Sequence, residues 1–342
     1  MNKQILTETF DEFSAFLLAV ARQDSDGGDL RDARLVMEAV ALGQNEGFGN
    51  QGGFLVPEEF IERLWARVFA AGSILARCDR LPSTKGKNIT IPAIADGGIA
   101  RFGGVQTYWT DEAAPAPETG LKIEQVKLTL RKLLSLIYVT DELLQDAPVL
   151  AATIERLFSL AAAFKIEREV INGTGAGLPL GVLKSPSLIT VEKDVGQAAA
   201  SVSTTNLSGM VSRLWGPSHQ RAVWLMSNDV FGQVLALEQD GPTLIETGPN
   251  GERLLHQMPV ELSEHTSVLG STGDILLADF SQYLLAEREP NLLSSIHVRF
   301  LTDESAFKFR YRVDGAPAWA ETITPENSTV TQSPFIALGA RT

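Results

Sequence analysis

The feature that most restricts how this chain can fold is a glycine- and proline-rich segment between two stretches with strand-like alternation. "KNITIPAI" from Lys87 and "KIEQVKLTLRKLLSLIYVT" from Lys122 alternate apolar and polar residues, which predicts two long β-strands joined by an irregular tip. An isolated two-stranded ribbon has little stability in water, so such a hairpin is expected to project and to lie on a neighbouring molecule. The sequence therefore predicts an oligomer. The residues that mark the segment are Gly86, Gly97, Gly98, Gly103, Gly104, Gly120, Pro82, Pro92, Pro115 and Pro117.

The composition limits the class of protein. A chain of 342 residues that is 44% hydrophobic can bury one large core or two smaller ones, and we expect two lobes. The net charge of -13 argues against a nucleic-acid reader, because gripping phosphates requires clustered Lys and Arg; any DNA contact should be weak and non-specific. No apolar stretch approaches the roughly 20 residues that span a bilayer, and no signal-peptide pattern is present. With Cys78 as the single cysteine, we expect a cytosolic protein without an internal disulfide.

Helical and strand-like patterns alternate along the rest of the chain. The longest helix is expected after Pro148, with about 22 residues and with Gly173 as its end. From residue 200 onward, short helical and strand patterns alternate and indicate a second α/β lobe. The other predicted elements are two short amphipathic helices in 1–42, a glycine-rich linker before Pro57, a helix in 58–72, and an evenly spaced strand in 297–322.

A glycine cluster follows the predicted long helix, in "NGTGAGLPLGVL". Gly173, Gly175 and Gly177 could suggest a dinucleotide loop, but that chemistry requires the glycines after a strand and before a helix. Here the order is reversed, and no Walker lysine lies in the loop. We therefore interpret the cluster as a tight structural turn with several positions at positive φ.

The chemically reactive residues do not form a recognisable catalytic or metal-binding pattern. The four histidines lie far apart without ligand spacing, and no nucleophile elbow is present. Asp111, Glu112 and Glu118 lie in the tip of the hairpin, where nothing would desolvate an acid–base pair. Cys78, next to Arg77, is expected to be a buried and inert thiol. We expect no catalytic residue, no metal site and no cofactor.

Six motifs in this order resemble the major capsid proteins of tailed bacteriophages, which have the Hong Kong 97-type fold. They are "GGFLVPEEF", then after the glycine-rich arm "YVTDELLQDAP", "INGTGAGLPLGVL", "LMSNDVFGQVLAL", "ILLADFSQYLLAER" and "FKFRYRVDGAPAWAE". The resemblance covers roughly residues 46–325. It implies an α+β protein with an N-terminal arm, an extended β-hairpin loop, a peripheral domain with a long spine helix, and an axial α/β domain.

The resemblance also implies domain boundaries and assembly residues. The boundaries are 1–45 for a short helical N-terminal segment, 46–57 for the N-arm, 58–79, 131–199 and 293–325 for the peripheral domain with its spine helix at about 149–171, 80–130 for the extended loop, 200–292 for the axial domain, and 326–342 for a C-terminal tail. The residues implied to serve structure and assembly are Phe54, Pro57, Phe102, Trp109, Gly173, Gly175, Gly177, Pro179, Asp314 and Gly315.

The function implied by the resemblance is structural. The chain would assemble with itself, as pentamers and hexamers, into an icosahedral shell around double-stranded phage DNA. Further implied partners are a portal, a decoration or cementing protein, and a scaffold or protease. The implied location is the virion, after assembly in the host bacterial cytoplasm. The acidic balance fits a container for a polyanion, since a wall that bound DNA tightly would hinder packing and ejection.

Two features differ from better-known members of the family. Many members carry a much longer scaffolding segment that is removed, whereas only about 45 residues precede the N-arm here, and we expect them to be a short retained helical arm. Some members cross-link a loop lysine to an asparagine of a neighbour. Lys85 and Lys87 supply amines, but the facing segment "FLTDESAFKFR" lacks asparagine and Asn327 lies in a polar tail, so we expect no covalent chaining.

Two alternative functions stay open at this point. An encapsulin-type nanocompartment shell protein would have the same fold, and the neighbouring genes would separate it from a phage capsid protein. A two-domain soluble enzyme would have the glycine loop at its cleft and would purify as a monomer or small oligomer with a convergent polar pocket. In such an enzyme the projecting hairpin would lack a partner.

Overall fold

The structure of the chain, a computed structural model, is described here for part of its residues. These are residues 15, 17–19, 53–55, 66–70, 72–82, 86, 88–94, 107–109, 123–140, 147–239, 244–249, 251–299 and 304–342. The chain divides into two compact units. The first unit comprises Met1–Leu75, Arg131–Lys165 and Glu287–Val313, and the second comprises Ala76–Leu130, Ile166–Ala286 and Asp314–Thr342.

The long helix predicted after Pro148 is confirmed. Helix α1 runs over Ala147–Asn172 and has 26 residues. It begins one residue before Pro148, which lies in the first turn, where a backbone N–H needs no helical partner. It ends immediately before Gly173, as the sequence predicted. In the first unit, Ile154 and Phe158 of α1 are buried, at intervals that place them on one side of the helix.

Most of a β-sheet whose strands come from distant parts of the chain belongs to the first unit. The strands are β1 (Gly53–Leu55), β5 (Arg131–Thr140), β12 (Tyr283–Arg299) and β13 (Glu304–Pro317), in the spatial order β1, β12, β13, β5. β13 is antiparallel to β5, in a register from Glu304 opposite Thr140 to Val313 opposite Arg131. The single strand predicted over 297–322 is therefore two strands. The even apolar spacing holds in the second of them, where Phe307, Phe309, Tyr311 and Val313 are buried.

The core of the first unit forms where α1 meets the sheet. The rings of Phe158 and Phe309 are in contact, with centroids 3.5 Å apart. Burial of one such side chain contributes about 1.5 to 3 kcal/mol.

Residues 66–70, inside the helix predicted for 58–72, are helical, and Val68 and Phe69 are buried. Residues 17–19 of the first predicted N-terminal helix are also helical, and Leu17 is completely buried. The second N-terminal helix lies outside the described residues.

The predicted hairpin is confirmed, with one difference. β3 (Asn88–Ile94) and β4 (Ile123–Thr129) are antiparallel, from Asn88 opposite Thr129 to Ile94 opposite Ile123. The second predicted strand is divided at Leu130, because β4 ends at Thr129 and β5 begins at Arg131. At the root of the hairpin, Leu128 and Leu130 are buried with Leu284 and Ala286 of β12. The root of the hairpin is therefore anchored by a small apolar cluster.

The second unit has a mixed seven-stranded sheet with two helices, which confirms the predicted α/β lobe. The helices are α2 (Thr204–Ser212) and α3 (Asn228–Gln239). The strands, in spatial order, are β6 (Ile189–Val191), β14 (Phe335–Leu338), β11 (Ile275–Ala278), β7 (Val223–Met226), β10 (Met258–Leu262), β9 (Arg253–Leu255) and β8 (Ile245–Thr247). The three strands β14, β11 and β7 are completely buried. This explains their uninterrupted apolar sequences, since strands covered on both faces do not alternate. β2 (Asp79–Leu81) pairs in parallel with the first residues of β12.

The prediction that 326–342 forms a C-terminal tail is wrong for its second half. β14 lies between β6 and β11, and Phe335–Leu338 are buried. A run of four apolar residues after a polar stretch is too short to distinguish a central strand from a loop by periodicity. The grouping of residues also differs from the implied domains, because Asp314 and both hairpin strands belong to the second unit. The implied domain boundaries stay a prediction.

Candidate assembly site

The turn after α1 closes on itself and leaves no room for side chains at two glycines. The N–H of Gly173 donates to the carbonyl of Glu169 at 2.8 Å, and the N–H of Gly181 donates to the carbonyl of Gly173 at 2.9 Å. A Cβ at Gly173 would lie 2.1 Å from the carbonyl oxygen of Pro179, and one at Gly181 would lie 2.4 Å from the nitrogen of Gly173. The predicted positive φ is present at Gly175 (75°) and at Gly177 (82°). The prediction of a tight structural turn is confirmed, and we call residues 173–181 the glycine loop.

The glycine loop is joined to strands β12 and β13 by two hydrogen bonds. The N–H of Leu180 donates to the carbonyl of Gly315 at 2.8 Å. The hydroxyl of Tyr283 donates to the carbonyl of Leu180 at 3.0 Å. Gly315 accommodates this arrangement because a Cβ there would lie 2.6 Å from Cε1 of the Tyr283 ring. Only glycine therefore fits at position 315 without displacing the tyrosine.

The Tyr283 hydroxyl is held in its donor form. Tyr283 is completely buried, and this burial, followed by the charges of Cys78 and Asp314, raises its pKa well above the ordinary value. The phenol therefore keeps its proton at neutral and moderately alkaline pH. Burial likewise raises the pKa of the Cys78 thiol to about 12, with smaller contributions from Glu167 and Asp79. This confirms that Cys78 is buried, and it indicates an unreactive thiol.

Asp314 connects the same strand to the root of the hairpin. Its Oδ2 atom accepts a hydrogen bond from the backbone N–H of Thr129 at 2.6 Å, and its Oδ1 atom accepts one from the N–H of Gly315 at 2.9 Å. Thr129 is the last residue of β4, after which the chain passes into β5. The carboxylate thus acts as the acceptor for a backbone donor at the point where the hairpin strand ends. We call Thr129, Leu180, Tyr283, Asp314 and Gly315 the junction.

Two aromatic side chains of the hairpin tip are exposed. Trp109 has a relative exposure of 105% and Tyr108 has one of 51%. Tryptophan is a large apolar residue that is normally well buried, and it is enriched at protein interfaces. Trp109, fully exposed in a single copy, is therefore a candidate contact residue.

One face of the sheet in the first unit is both apolar and basic. Leu134, Leu136 and Tyr138 of β5 remain 42%, 47% and 39% exposed. In the antiparallel register, Leu134 lies opposite Arg310 and Leu136 lies opposite Lys308, so these side chains share one face. The buried Phe309 lies opposite Ser135, on the other face, where it contacts Phe158 of α1. We define the β5–β13 face by seven of these side chains: Lys132, Leu134, Leu136, Tyr138, Lys308, Arg310 and Arg312. At its end, Thr140, Ala306 and the acidic Glu304 lie on the same side of the sheet.

The sequence identified part of this site. Gly173, Pro179, Asp314 and Gly315, which it singled out separately, lie within or next to the junction. Phe54 lies in β1, where its backbone pairs with Ser294. Pro57 and Phe102 lie outside the described residues. The sequence did not identify Thr129, Leu180 or Tyr283, and only Tyr283 carried a signal, since a buried tyrosine usually has a hydrogen-bond partner.

Within the described residues, neither a membrane-spanning helix nor a metal site is found. No helix there is long and apolar enough to cross a bilayer. No group of three or more His, Cys, Asp or Glu in that part of the chain could hold a metal ion.

The comparisons with known proteins identify the family and the fold of the chain. Residues 52–325 match the family described as "Phage capsid family". The chain belongs to this family, and it is a structural major capsid protein that forms an icosahedral shell. It is located in the capsid of the virion. Among curated proteins, no match was found.

Solved structures show the same fold at low sequence identity. The capsid of a native GTA particle has a TM-score of 0.57 and 17% identity, with 80% of this chain and 91% of that chain covered. A structure from Microbacterium phage Oxtober96 has a TM-score of 0.55 and 13% identity, with 78% and 90% covered. One from Mycobacterium phage Adephagia has a TM-score of 0.51 and 14% identity, with 78% and 89% covered. The predicted α+β capsid fold is confirmed.

Proposed function

We propose that the shell is built from pentamers and hexamers around double-stranded phage DNA, and that the hairpin tip of one copy lies on the β5–β13 face of a neighbouring copy. The observation that carries this proposal is the complete exposure of Trp109, which lies between the two hairpin strands in the sequence. An exposed apolar anchor and an exposed apolar receptor in the same chain favour contact between copies, because both are then removed from water.

Charge supports the same pairing. Asp111, Glu112 and Glu118 follow Trp109 in the sequence of the tip, so the tip is acidic and aromatic. The β5–β13 face is apolar and basic, although the whole chain has a net charge of -13. Its members Lys308 and Arg310 form no ion pair in the described part of the chain. Opposite charges across an interface guide encounter and fix its register. The apolar stripe between the cations favours a protein partner over DNA.

The first experiment tests assembly. The full chain should form closed particles by size-exclusion chromatography and negative-stain microscopy. Deletion of Phe102–Pro117 should leave a folded subunit that does not form shells, because these residues lack core character. Trp109→Ser should weaken assembly, whereas Val195→Ser, at an equally exposed apolar residue outside the tip and the face, should not. A strictly monomeric wild-type protein at high concentration would contradict the function, and a deletion variant that unfolds would contradict the position of the tip.

The second experiment tests which face receives the tip. Lys308→Glu with Arg310→Glu should impair assembly, and so should Asp111→Lys with Glu112→Lys. Combining the two pairs should restore particles, because opposite charges then face each other again. Assembly of the wild type should weaken with salt, since the Debye length falls from about 10 Å at 0.1 M to about 3 Å at 1 M. If the Glu variants assemble normally but lose DNA binding, the face serves DNA and the docking proposal is wrong.

Several finer assignments belong to this proposal. The chain is expected to act without catalysis, and its further partners are expected to be a portal, a decoration or cementing protein, and a scaffold or protease, after assembly in the host cytoplasm. Contact with packaged DNA is expected to be weak. Phe54 and Pro57 are proposed to serve the N-arm, and Phe102 to serve the tip. Nucleic acid inside native particles would support the phage capsid, and a cargo enzyme inside them would support an encapsulin-type compartment.

A further inference from the structure

We propose that Asp314 and Gly315 couple the root of the hairpin to the glycine loop, so that a change at one is transmitted to the other. This inference rests on the proposed function, in which the hairpin docks on a neighbour. Asp314 is then a positioning residue, which acts on the hairpin through the backbone of Thr129. The glycine loop is the second end of the coupled element, because Leu180 bonds to Gly315.

The coupling is carried by an unbroken series of hydrogen bonds. The N–H of Thr129 donates to Asp314 at 2.6 Å, the same carboxylate accepts the N–H of Gly315 at 2.9 Å, and the carbonyl of Gly315 accepts the N–H of Leu180 at 2.8 Å. The hydroxyl of Tyr283 closes the series on the carbonyl of Leu180 at 3.0 Å. Hydrogen bonds in a chain of low local dielectric strengthen one another, so the loss of one weakens its neighbours.

The packing around this series allows little independent adjustment. The Tyr283 ring occupies the space that a side chain at Gly315 would need, at 2.6 Å from the Cβ position. The carbonyl of Pro179 fills the space next to Gly173 in the same way, at 2.1 Å. Close-packed elements respond to displacement by moving together, because neither side has free volume to absorb it. Asp314 itself is only 9% exposed, so water cannot easily replace its contact with Thr129.

If the two ends are coupled, removing the Asp314 carboxylate should loosen both the root of the hairpin and the glycine loop. With Asp314→Ala, the N–H of Thr129 loses its acceptor, and the root of the hairpin should open more often. If the series transmits this change, the glycine loop should also open more often, although its own residues are unchanged. Tyr283→Phe should act in the reverse direction, by loosening the loop first and then the root of the hairpin. Reciprocity of this kind is required of any true energetic coupling.

The experiment is hydrogen–deuterium exchange on the full chain, before assembly, followed by mass spectrometry of peptides that cover 123–130 and 174–182. Asp314→Ala and Tyr283→Phe should each accelerate exchange in both peptides by roughly fivefold or more. Asp314→Asn, which keeps the volume and an acceptor oxygen, should have a smaller effect and serves as the test if the Ala variant does not fold. Arg77→Ala, which removes a surface ion pair of the same unit, is the control and should change neither peptide.

The outcomes separate the coupling from the proposed function. If Asp314→Ala accelerates exchange only in 123–130 and Tyr283→Phe only in 174–182, the coupling does not exist, whatever the shell does. If the wild-type chain never forms particles, the proposed function fails while the exchange result stands. A double variant of Asp314→Asn and Tyr283→Phe gives a second measurement. Effects on stability that add within error would contradict the coupling, whereas a non-additive effect supports it.

Discussion

The guanidinium of Arg341 donates hydrogen bonds to both carboxylate oxygens of Asp274, and both side chains are completely buried. The same guanidinium donates to the carbonyls of Ser201 and Gly339, and the N–H of Gly270 donates to Asp274. Each charge therefore has several partners, which compensates for its removal from water. The ion pair therefore links Arg341, which follows β14, to Asp274 in the loop that precedes β11.

Removal of this carboxylate should destabilise the subunit strongly. Asp274→Ala leaves the guanidinium of Arg341 buried without its counter-charge, and we expect a loss of about 3 to 5 kcal/mol in the free energy of unfolding. Arg77→Ala removes the ion pair with Glu261, whose partners are 37% and 32% exposed, and should cost less than about 1 kcal/mol. Urea unfolding of unassembled subunits, followed by circular dichroism, measures both changes. Equal losses in the two variants would contradict the role given to the buried pair.

Two glycines of the glycine loop should respond differently to the same substitution. Gly177→Ala places a Cβ in open space at a φ of 82°, so it should cost about 1 to 2 kcal/mol through backbone strain alone. Gly173→Ala places a Cβ 2.1 Å from a backbone oxygen, so the backbone must move to remove the clash, at a cost of about 3 kcal/mol. Thermal unfolding of the two variants gives the comparison, and a Gly173→Ala protein as stable as Gly177→Ala would mean that the loop is not closed as described.

Alkaline pH should destabilise the second unit through Cys78. Burial raises the pKa of this thiol from 9.0 to about 12, so between these values the unfolded chain releases a proton that the folded chain retains. The stability is therefore complete below pH 9 and decreases as the pH rises towards 12. Unfolding at several pH values should show a decrease that is smaller in Cys78→Ala. Iodoacetamide should modify the folded wild type slowly at pH 8 and the unfolded chain quickly, and rapid modification of the folded protein would contradict burial of the thiol.

The mature shell should not be covalently chained. An isopeptide bond that forms with release of ammonia requires a carboxamide opposite the loop lysine, and the start of β13 offers Glu304 and Ser305 instead. A carboxylate would hold a lysine as an ion pair and could not release ammonia, and Asn327 lies outside that strand. Boiling in detergent should give one band near 37.0 kDa. A ladder of multimers that survives heat and reductant would overturn this prediction.

The sequence predicted those elements whose signals are local. The long helix with its end at Gly173, the hairpin and the buried alternation of Phe307, Phe309 and Tyr311 all follow from periodicity and from glycine or proline positions. The division of the second hairpin strand at Leu130 was not predicted, because the alternation passes through that residue without a break. It results from the change of pairing partner, from Asn88 for Thr129 to Val313 for Arg131, which is a tertiary effect.

The junction was only partly predictable for a related reason. Gly173 and Gly315 stand out in the sequence because glycine is conspicuous, but the atoms that exclude a side chain at them belong to Pro179 and Tyr283. The acceptor role of Asp314 depends on a backbone N–H that lies 185 positions away in the chain. No pattern of residue types encodes such a contact, because any residue except proline supplies the same donor.

The position of β14 has a consequence for how the protein is made. Because β14 inserts between β6 and β11, the seven-stranded sheet cannot be completed while residues 335–338 are still inside the ribosome. Synthesis thus delays closure of the sheet, and prematurely released polypeptides lack a strand in its interior. We expect a chain terminated at Pro334 to be degraded or to aggregate in a pulse-chase experiment, while the full chain persists. A shell that needs many identical copies would in this way be supplied with subunits whose translation has passed β14.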